Sequence, residues 1–289
     1  MSDVRRDSGP AISASRADLE LWVHPEIATA LPSDADAAYD HLATLRPLDN
    51  FVEKQGRSTG RFQIAIGNDA VTFFLKRYPT VSWWRRRWAS LKTFPGPHES
   101  ANFRAIAALG IAVPETLAVG TSRRHPCASF FATRELCGYL PLHEFIPASL
   151  RASTRNPTLL RTIIIRLAEI ARSLHAAHLY HRDLYLCHFF ARSAPDGSVE
   201  MVLIDLARLK HSRWPRWRVK DLAQLLFSSD LPGITRTDRL RFFLHYLQTK
   251  RLNAAARRLL ARVTAKAARY RRHNEKHRRV PASETPAAR

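Results

Sequence analysis

Acidic residues are scarce in this chain: 25 Asp and Glu stand against 46 Lys and Arg in 289 residues, a formal net charge of +21. A surplus of that size points to an anionic partner, whether nucleic acid, a membrane surface or a phosphorylated substrate, and says nothing about fold. Cysteine is scarce too. Cys127, Cys137 and Cys187 make an odd count without a CxxC spacing, which argues against a structural zinc site and for a reducing cytoplasm. No apolar run approaches the ~18 residues of a spanning helix, and Met1 to Arg16 lacks the apolar centre of a signal peptide. Any membrane association is therefore expected to be peripheral. No internal repeat is visible. What remains is a chain with 45% hydrophobic residues, long enough for two lobes and a sizeable core.

The most informative stretch is Tyr180-His181-Arg182-Asp183-Leu184-Tyr185-Leu186-Cys187-His188-Phe189-Phe190. It starts where a helical pattern ends and finishes where a strand-like run begins. His181-Arg182-Asp183 is the tripeptide that opens a protein-kinase catalytic loop. Further on, Val202-Leu203-Ile204-Asp205 reads as a buried strand ending in a carboxylate. Phosphoryl transfer needs that pair: one carboxylate to receive the acceptor hydroxyl, another to hold the metal that bridges the phosphates.

Upstream, residues 1 to about 16 are small and polar, and disorder is expected there. Leu19 to Leu45, interrupted by Pro25 and Pro32, suggests short helices. From Asn50 the pattern turns to strands. Gln55 to Arg61 is a turn with only two glycines, as compatible with an ordinary hairpin as with a phosphate-covering loop. Ala70 to Lys76 is an apolar strand ending in lysine. Lys76 is either the phosphate-contacting lysine of a kinase strand or a snorkelling strand end. Ser82 to Trp88 interleaves three tryptophans with three arginines, suiting either a lipid headgroup layer or packing on the small lobe. Glu99 opens a helical pattern over Ser100 to Leu109, either to pair with Lys76 or as a first-turn acid. Val113 to Gly120 and Ala128 to Leu136 read as strands, with Arg134 to Gly138 as a hinge. In the second lobe, Leu160, Ile163, Ile164, Leu167, Ile170, Ala171 and Leu174 form one helical stripe. His175 and His178, near its end, read as structural. Asp221 starts a helix, either bracing the catalytic loop or capping. Thr237 to Leu247 is amphipathic. Lys250 to Arg279 carries 12 Lys and Arg against one acid, Glu275. It reads as a solvated helix or as a surface for anionic lipid.

Taken together, His181-Arg182-Asp183 with Tyr185, Cys187, His188 and Phe189 resembles the catalytic loop of the lipopolysaccharide core heptose(I) kinases. These belong to the Kdo/heptose lipopolysaccharide kinase family of Gram-negative bacteria. Ile204-Asp205-Leu206, Arg216-Trp217-Arg218, Lys220-Asp221-Leu222, Phe227-Ser228-Ser229, Phe74-Leu75-Lys76 and Ser129-Phe130-Phe131 share the resemblance. It covers about Asn50 to Lys250. It implies an α+β, two-lobed protein-kinase-like fold: an extension over 1–48, partly disordered, a small β-rich N-lobe over 49–137, a helical C-lobe over 138–250 and a basic helix and tail over 251–289. It also implies ATP-dependent phosphorylation of the first heptose of the inner core. Asp183 is then the catalytic residue, Lys76 and Glu99 position ATP, Asp205 binds the metal, and His181, Arg182 and Asp221 support the loop.

Two departures from ordinary kinases stand out. His188 occupies the place of the usual metal-ligating Asn, and Asp205 is followed by Leu206-Ala207 without the Gly of the Asp-Phe-Gly motif. His188 matches the heptose kinases and is expected to face the metal, Mg2+ with Mn2+ tolerated, because imidazole suits softer metals. The expected partners are nascent lipopolysaccharide core glycolipid and the anionic cytoplasmic face of the inner membrane, without nucleic acid. The alternatives are a kinase for another core sugar such as Kdo or for protein, or a nucleic-acid-binding protein on a degenerate kinase scaffold.

Overall fold

The computed structural model describes residues 12–54, 57–79, 94–152, 157–194 and 196–278. Part of the two-glycine turn, the tryptophan- and arginine-rich segment 82–88, the first eleven residues and the tail beyond 278 lie outside them. The chain divides between Cys137 and Gly138 into two compact units.

The N-terminal unit is a seven-stranded sheet ordered β1-β2-β6-β7-β5-β4-β3, with every neighbouring pair antiparallel. Its strands are β1 (Ile12–Ser15), β2 (Leu19–Val23), β3 (Asp49–Lys54), β4 (Arg57–Ile66), β5 (Asp69–Pro79), β6 (Thr116–Ser122) and β7 (Cys127–Arg134). Its helices among the described residues are α1 (Pro25–Ala28), α2 (Ala35–Thr44) and α3 (Pro95–Ala107).

Residues 12–48 are not a separate extension. Leu19, Leu21 and Val23 alternate inward from β2 and join Phe62, Phe73, Tyr39 and Phe130 in one core. The expected helix over Leu19 is a strand because Leu-Glu-Leu-Trp-Val has period two, and Ile12–Ser15, within the segment expected to be disordered, form β1. Helix α2 is capped by Asp34, whose carboxylate accepts from Ala37 N at 2.9 Å.

Strand β5 alternates as well. Val71, Phe73 and Leu75 are buried in the core, which turns Thr72, Phe74, Lys76 and Tyr78 to the opposite face. Helix α3 buries Gly96, Glu99, Ser100, Phe103 and Ile106 along one face. It begins a turn earlier than expected, at Pro95, so Glu99 is not a first-turn acid. Gly96 is where α3 meets β7: a Cβ there would lie 2.4 Å from the Phe130 carbonyl oxygen, and its N–H donates to Ser129 Oγ at 3.3 Å.

The C-terminal unit is mainly helical. It contains α4 (Leu142–Ala152), α5 (Pro157–Ala176), α6 (Pro215–Ser228), α7 (Arg236–Leu247) and α8 (Ala254–Arg278). Two small sheets accompany them. One orders β11 (Val199–Leu203), β10 (Phe189–Ser193) and β8 (Leu140–Pro141), and the other pairs β12 (Lys210–His211) with β9 (Leu179–Tyr180). Helix α5 buries Ile163, Ile164, Leu167, Ile170, Ala171 and Leu174 and packs on α7, while α6 packs on α8. The basic helix α8 is thus no free solvated rod. Ala256, Val263 and Ala267 are buried on it, and Arg271 pairs with Asp230 at 2.5 Å. No helix among the described residues is long and apolar enough to cross a membrane.

Candidate active site

In the N-terminal unit, Lys76 and Glu99 are brought together, with Nζ 2.6 Å from Oε1. The second carboxylate oxygen of Glu99 accepts from Tyr78 OH at 2.8 Å. Glu99 is 1% exposed, and a buried carboxylate is tolerable only when so satisfied. Tyr78 was not apparent from the sequence. The available signal was its position two residues beyond Lys76, on the same face of β5.

In the C-terminal unit the 180–190 loop is held by one face of α6. Asp221 is fully buried, and its two oxygens accept from His181 N and Arg182 N, each at 2.9 Å. It lies in the middle of α6, so it does not cap the helix. His175 Nε2 adds a third contact to Asp221 at 3.3 Å. His175 Nδ1 lies 2.8 Å from Tyr246 OH, which accepts from Arg218 Nε at 2.6 Å. The loop backbone is then followed residue by residue. Lys220 Nζ donates to the Arg182 carbonyl. Gln224 Oε1 accepts from Leu184 N at 3.0 Å, and Ser228 Oγ accepts from Leu186 N at 3.0 Å. Positions 220, 221, 224 and 228 lie on one side of a helix. Gln224 was missed in the sequence and Ser228 entered only within the resemblance, without a role, though two polar residues at that spacing from Asp221 in an otherwise apolar segment are a readable signal.

This scaffold presents Asp183. Its Oδ1 accepts from Gln224 Nε2 at 3.3 Å and its Oδ2 from Arg208 Nη1 at 2.7 Å. Arg208, another residue the sequence did not single out, sits at the end of the short 3-10 turn Leu206–Arg208. Leu206 is fully buried. Asp205 adopts φ +56° and ψ +60°, left-handed backbone that is unusual outside glycine.

His188 uses both ring nitrogens. Nδ1 is 2.6 Å from the Asp183 carbonyl oxygen, and Nε2 is 3.8 Å from Asp205 Oδ2. Backbone bonding and facing the second carboxylate are therefore compatible roles. Burial works against a charge on this ring. Hydrogen bonds to the Cys187 side chain and the Asp183 carbonyl, with the Asp205 charge, outweigh it and raise the pKa to about 9. The His181 ring stacks on it at 5.6 Å and is pushed the other way, chiefly by complete burial. His181 Nε2 contacts the Ile204 carbonyl at 3.0 Å, which ties the loop to the strand before Asp205.

The sequence profile of the Lipopolysaccharide kinase (Kdo/WaaP) family matches residues 46–246. The lipopolysaccharide core heptose(I) kinase WaaP of Pseudomonas aeruginosa is 30% identical over 207 residues, 68% of this chain and 75% of that protein. The Escherichia coli enzyme of the same name is 31% identical over 235 residues, 76% and 86% of the two chains. A solved structure described as WaaP in complex with acyl carrier protein superposes with a TM-score of 0.64 at 25% identity, over 89% of this chain and 98% of that one.

Removing the Asp221 carboxylate orphans two buried N–H groups, each worth about 1–3 kcal/mol. Asp221→Ala is expected to lower the denaturant midpoint accordingly, and Asp221→Asn, which keeps one acceptor oxygen, to lose less. An Asp221→Ala protein as stable as the parent would show that the loop is held from elsewhere.

Proposed function

Because the chain belongs to the lipopolysaccharide kinase (Kdo/WaaP) family, a family of phosphotransferases with a protein-kinase-like fold, we propose that it phosphorylates the first heptose of the lipopolysaccharide inner core from ATP. The observation that carries this reading is the fixed presentation of Asp183 by α6. A carboxylate oriented by Gln224 and Arg208, on a loop whose N–H groups are consumed by Asp221, is ready to orient an acceptor hydroxyl and take its proton. Lys76, held by Glu99, is the group for the ATP phosphates.

Asp205 and His188 are the residues for the divalent cation. Among the described residues no three His, Cys, Asp or Glu side chains form a metal cage. Mg2+ is usually held by one or two carboxylates, with phosphate oxygens and water completing its shell, and Asp205 offers one such carboxylate. Such an ion, when bound, neutralises phosphate charge. Nitrogen ligation through His188 Nε2 requires the cation to displace the proton that the surroundings otherwise favour on the ring. The Nδ1 contact to the Asp183 carbonyl then sets the tautomer that leaves Nε2 for the metal, and a nitrogen ligand lets Mn2+ substitute.

The positive surplus and the Lys and Arg of α8 suit a peripheral position on the anionic cytoplasmic face of the inner membrane. An acyl carrier protein is a further partner in this reading. A cavity of about 630 Å3 in the C-terminal unit, lined by Leu160, Leu167, Leu226, Phe243 and Val263 with Arg239 and Arg271, has the apolar walls that an acyl chain needs.

Purified protein with ATP and dephosphorylated core oligosaccharide is expected to give phosphoheptose. Asp183→Asn should remain folded and bind ATP while losing about 10²–10⁴ in rate. Near-normal turnover by that variant would move the base elsewhere. For the partner, Leu226→Trp, which fills the cavity, is expected to weaken capture of long-chain acyl carrier protein in a pull-down. Equal capture by both proteins would separate the cavity from the acyl chain.

A further inference from the structure

In the segment Arg213-Trp214-Pro215-Arg216-Trp217-Arg218 only Arg218 enters the network around Asp221, yet Trp217 gathers cations. The Arg182 and Arg216 guanidinium carbons each lie 4.7 Å from its ring centroid, and Lys210 Nζ lies 6.0 Å away. The three come from different places: the catalytic loop, β12 and the first turn of α6. Among the described residues no carboxylate lies within ion-pair distance of any of them, although many other arginines of the chain are paired. Three like charges around one indole repel one another, so a carboxylate-free cluster calls for an anion from outside.

Two further features favour that. Arg182 Nε and Trp217 Nε1 are buried donors without a partner. Stacking also uses only the face of a guanidinium, which leaves its in-plane donors for a tetrahedral oxyanion. The amino end of α6 adds its dipole, since Trp214 provides no side-chain cap there.

We propose that Arg182, Lys210 and Arg216 form a subsite for a phosphate group already carried by the acceptor glycolipid. The substrate assignment rests on the heptose-kinase reading; the anion site itself does not. Trp217 precedes Gln224, the residue that touches Asp183 Oδ1, by two turns of α6, or about 10 Å along the axis. A phosphate held at Trp217 would thus fix the acceptor by a group other than the sugar that reacts, and select phosphorylated over unphosphorylated acceptors.

The test uses the full-length protein and the double variant Lys210→Ala/Arg216→Ala, which alters two exposed side chains and leaves the catalytic loop intact. Calorimetric titration with inorganic phosphate alone is expected to show binding to the parent and at least about tenfold weaker binding to the variant, with acetate as the singly charged control. Equal phosphate affinity in the two proteins overturns the site, whether or not the chain is a heptose kinase. Kinetics then use a core oligosaccharide that retains phosphate away from the accepting heptose, and the same acceptor after phosphatase treatment. The parent should show a KM at least about tenfold lower for the phosphorylated acceptor. The variant should lose that preference with kcat little changed. A parent that treats both acceptors alike overturns the assignment to substrate phosphate. Failure of both acceptors to react would count against the heptose-kinase reading and leave the phosphate titration to decide the site.

Discussion

The buried carboxylate of Asp221 is the constraint on which the 180–190 loop depends. Two successive backbone N–H groups, those of His181 and Arg182, end on its two oxygens. Two adjacent amides can point at one carboxylate only if the chain bends sharply, and Arg182 adopts φ +69°. Asp183 follows the bend and is met by Gln224 and Arg208. A fully buried carboxylate would be prohibitive without these bonds. The loop and the helix therefore stabilise each other, and either without the other would leave unsatisfied groups in the interior.

Helix α6 extends the same logic along its length. Trp217, Lys220, Asp221, Gln224 and Ser228 form a continuous polar stripe that reads the loop from Arg182 to Leu186. The opposite side of the helix carries Val219, Leu222, Ala223 and Leu225 among its buried residues and provides the contact with α8. The geometry of the 180–190 loop and the packing of the C-terminal unit thus both depend on one element. In the N-terminal unit Glu99 plays a comparable part, binding Lys76 and Tyr78 through separate oxygens.

Much of this was legible in the sequence because its chemistry is local. His181-Arg182-Asp183 after a helical stripe, Asp205 after an apolar run and Lys76 at a strand end need only spacing to be noticed. The helix over Thr237 to Leu247 appears at nearly the expected bounds, with a Thr235–Asp238 capping box. What escaped notice depends on distant partners. The five-residue alternation of β2 was obscured by the prolines that follow it, and its pairing with β6 spans about a hundred residues of chain. Gln224 and Ser228 look like ordinary helix polar residues until the loop they serve is placed against them. Arg208 is one arginine among many, and only its position beside Asp183 distinguishes it.

The most direct measurement of the central claim is mass spectrometry of core oligosaccharide from cells with and without this protein, with the missing protein restored either intact or as Asp183→Asn. Loss of the phosphate from the first heptose, returned by the intact chain and not by the variant, is the expected result. A core unchanged by removal of the protein, or restored equally well by Asp183→Asn, would contradict the assignment of this loop to heptose phosphorylation.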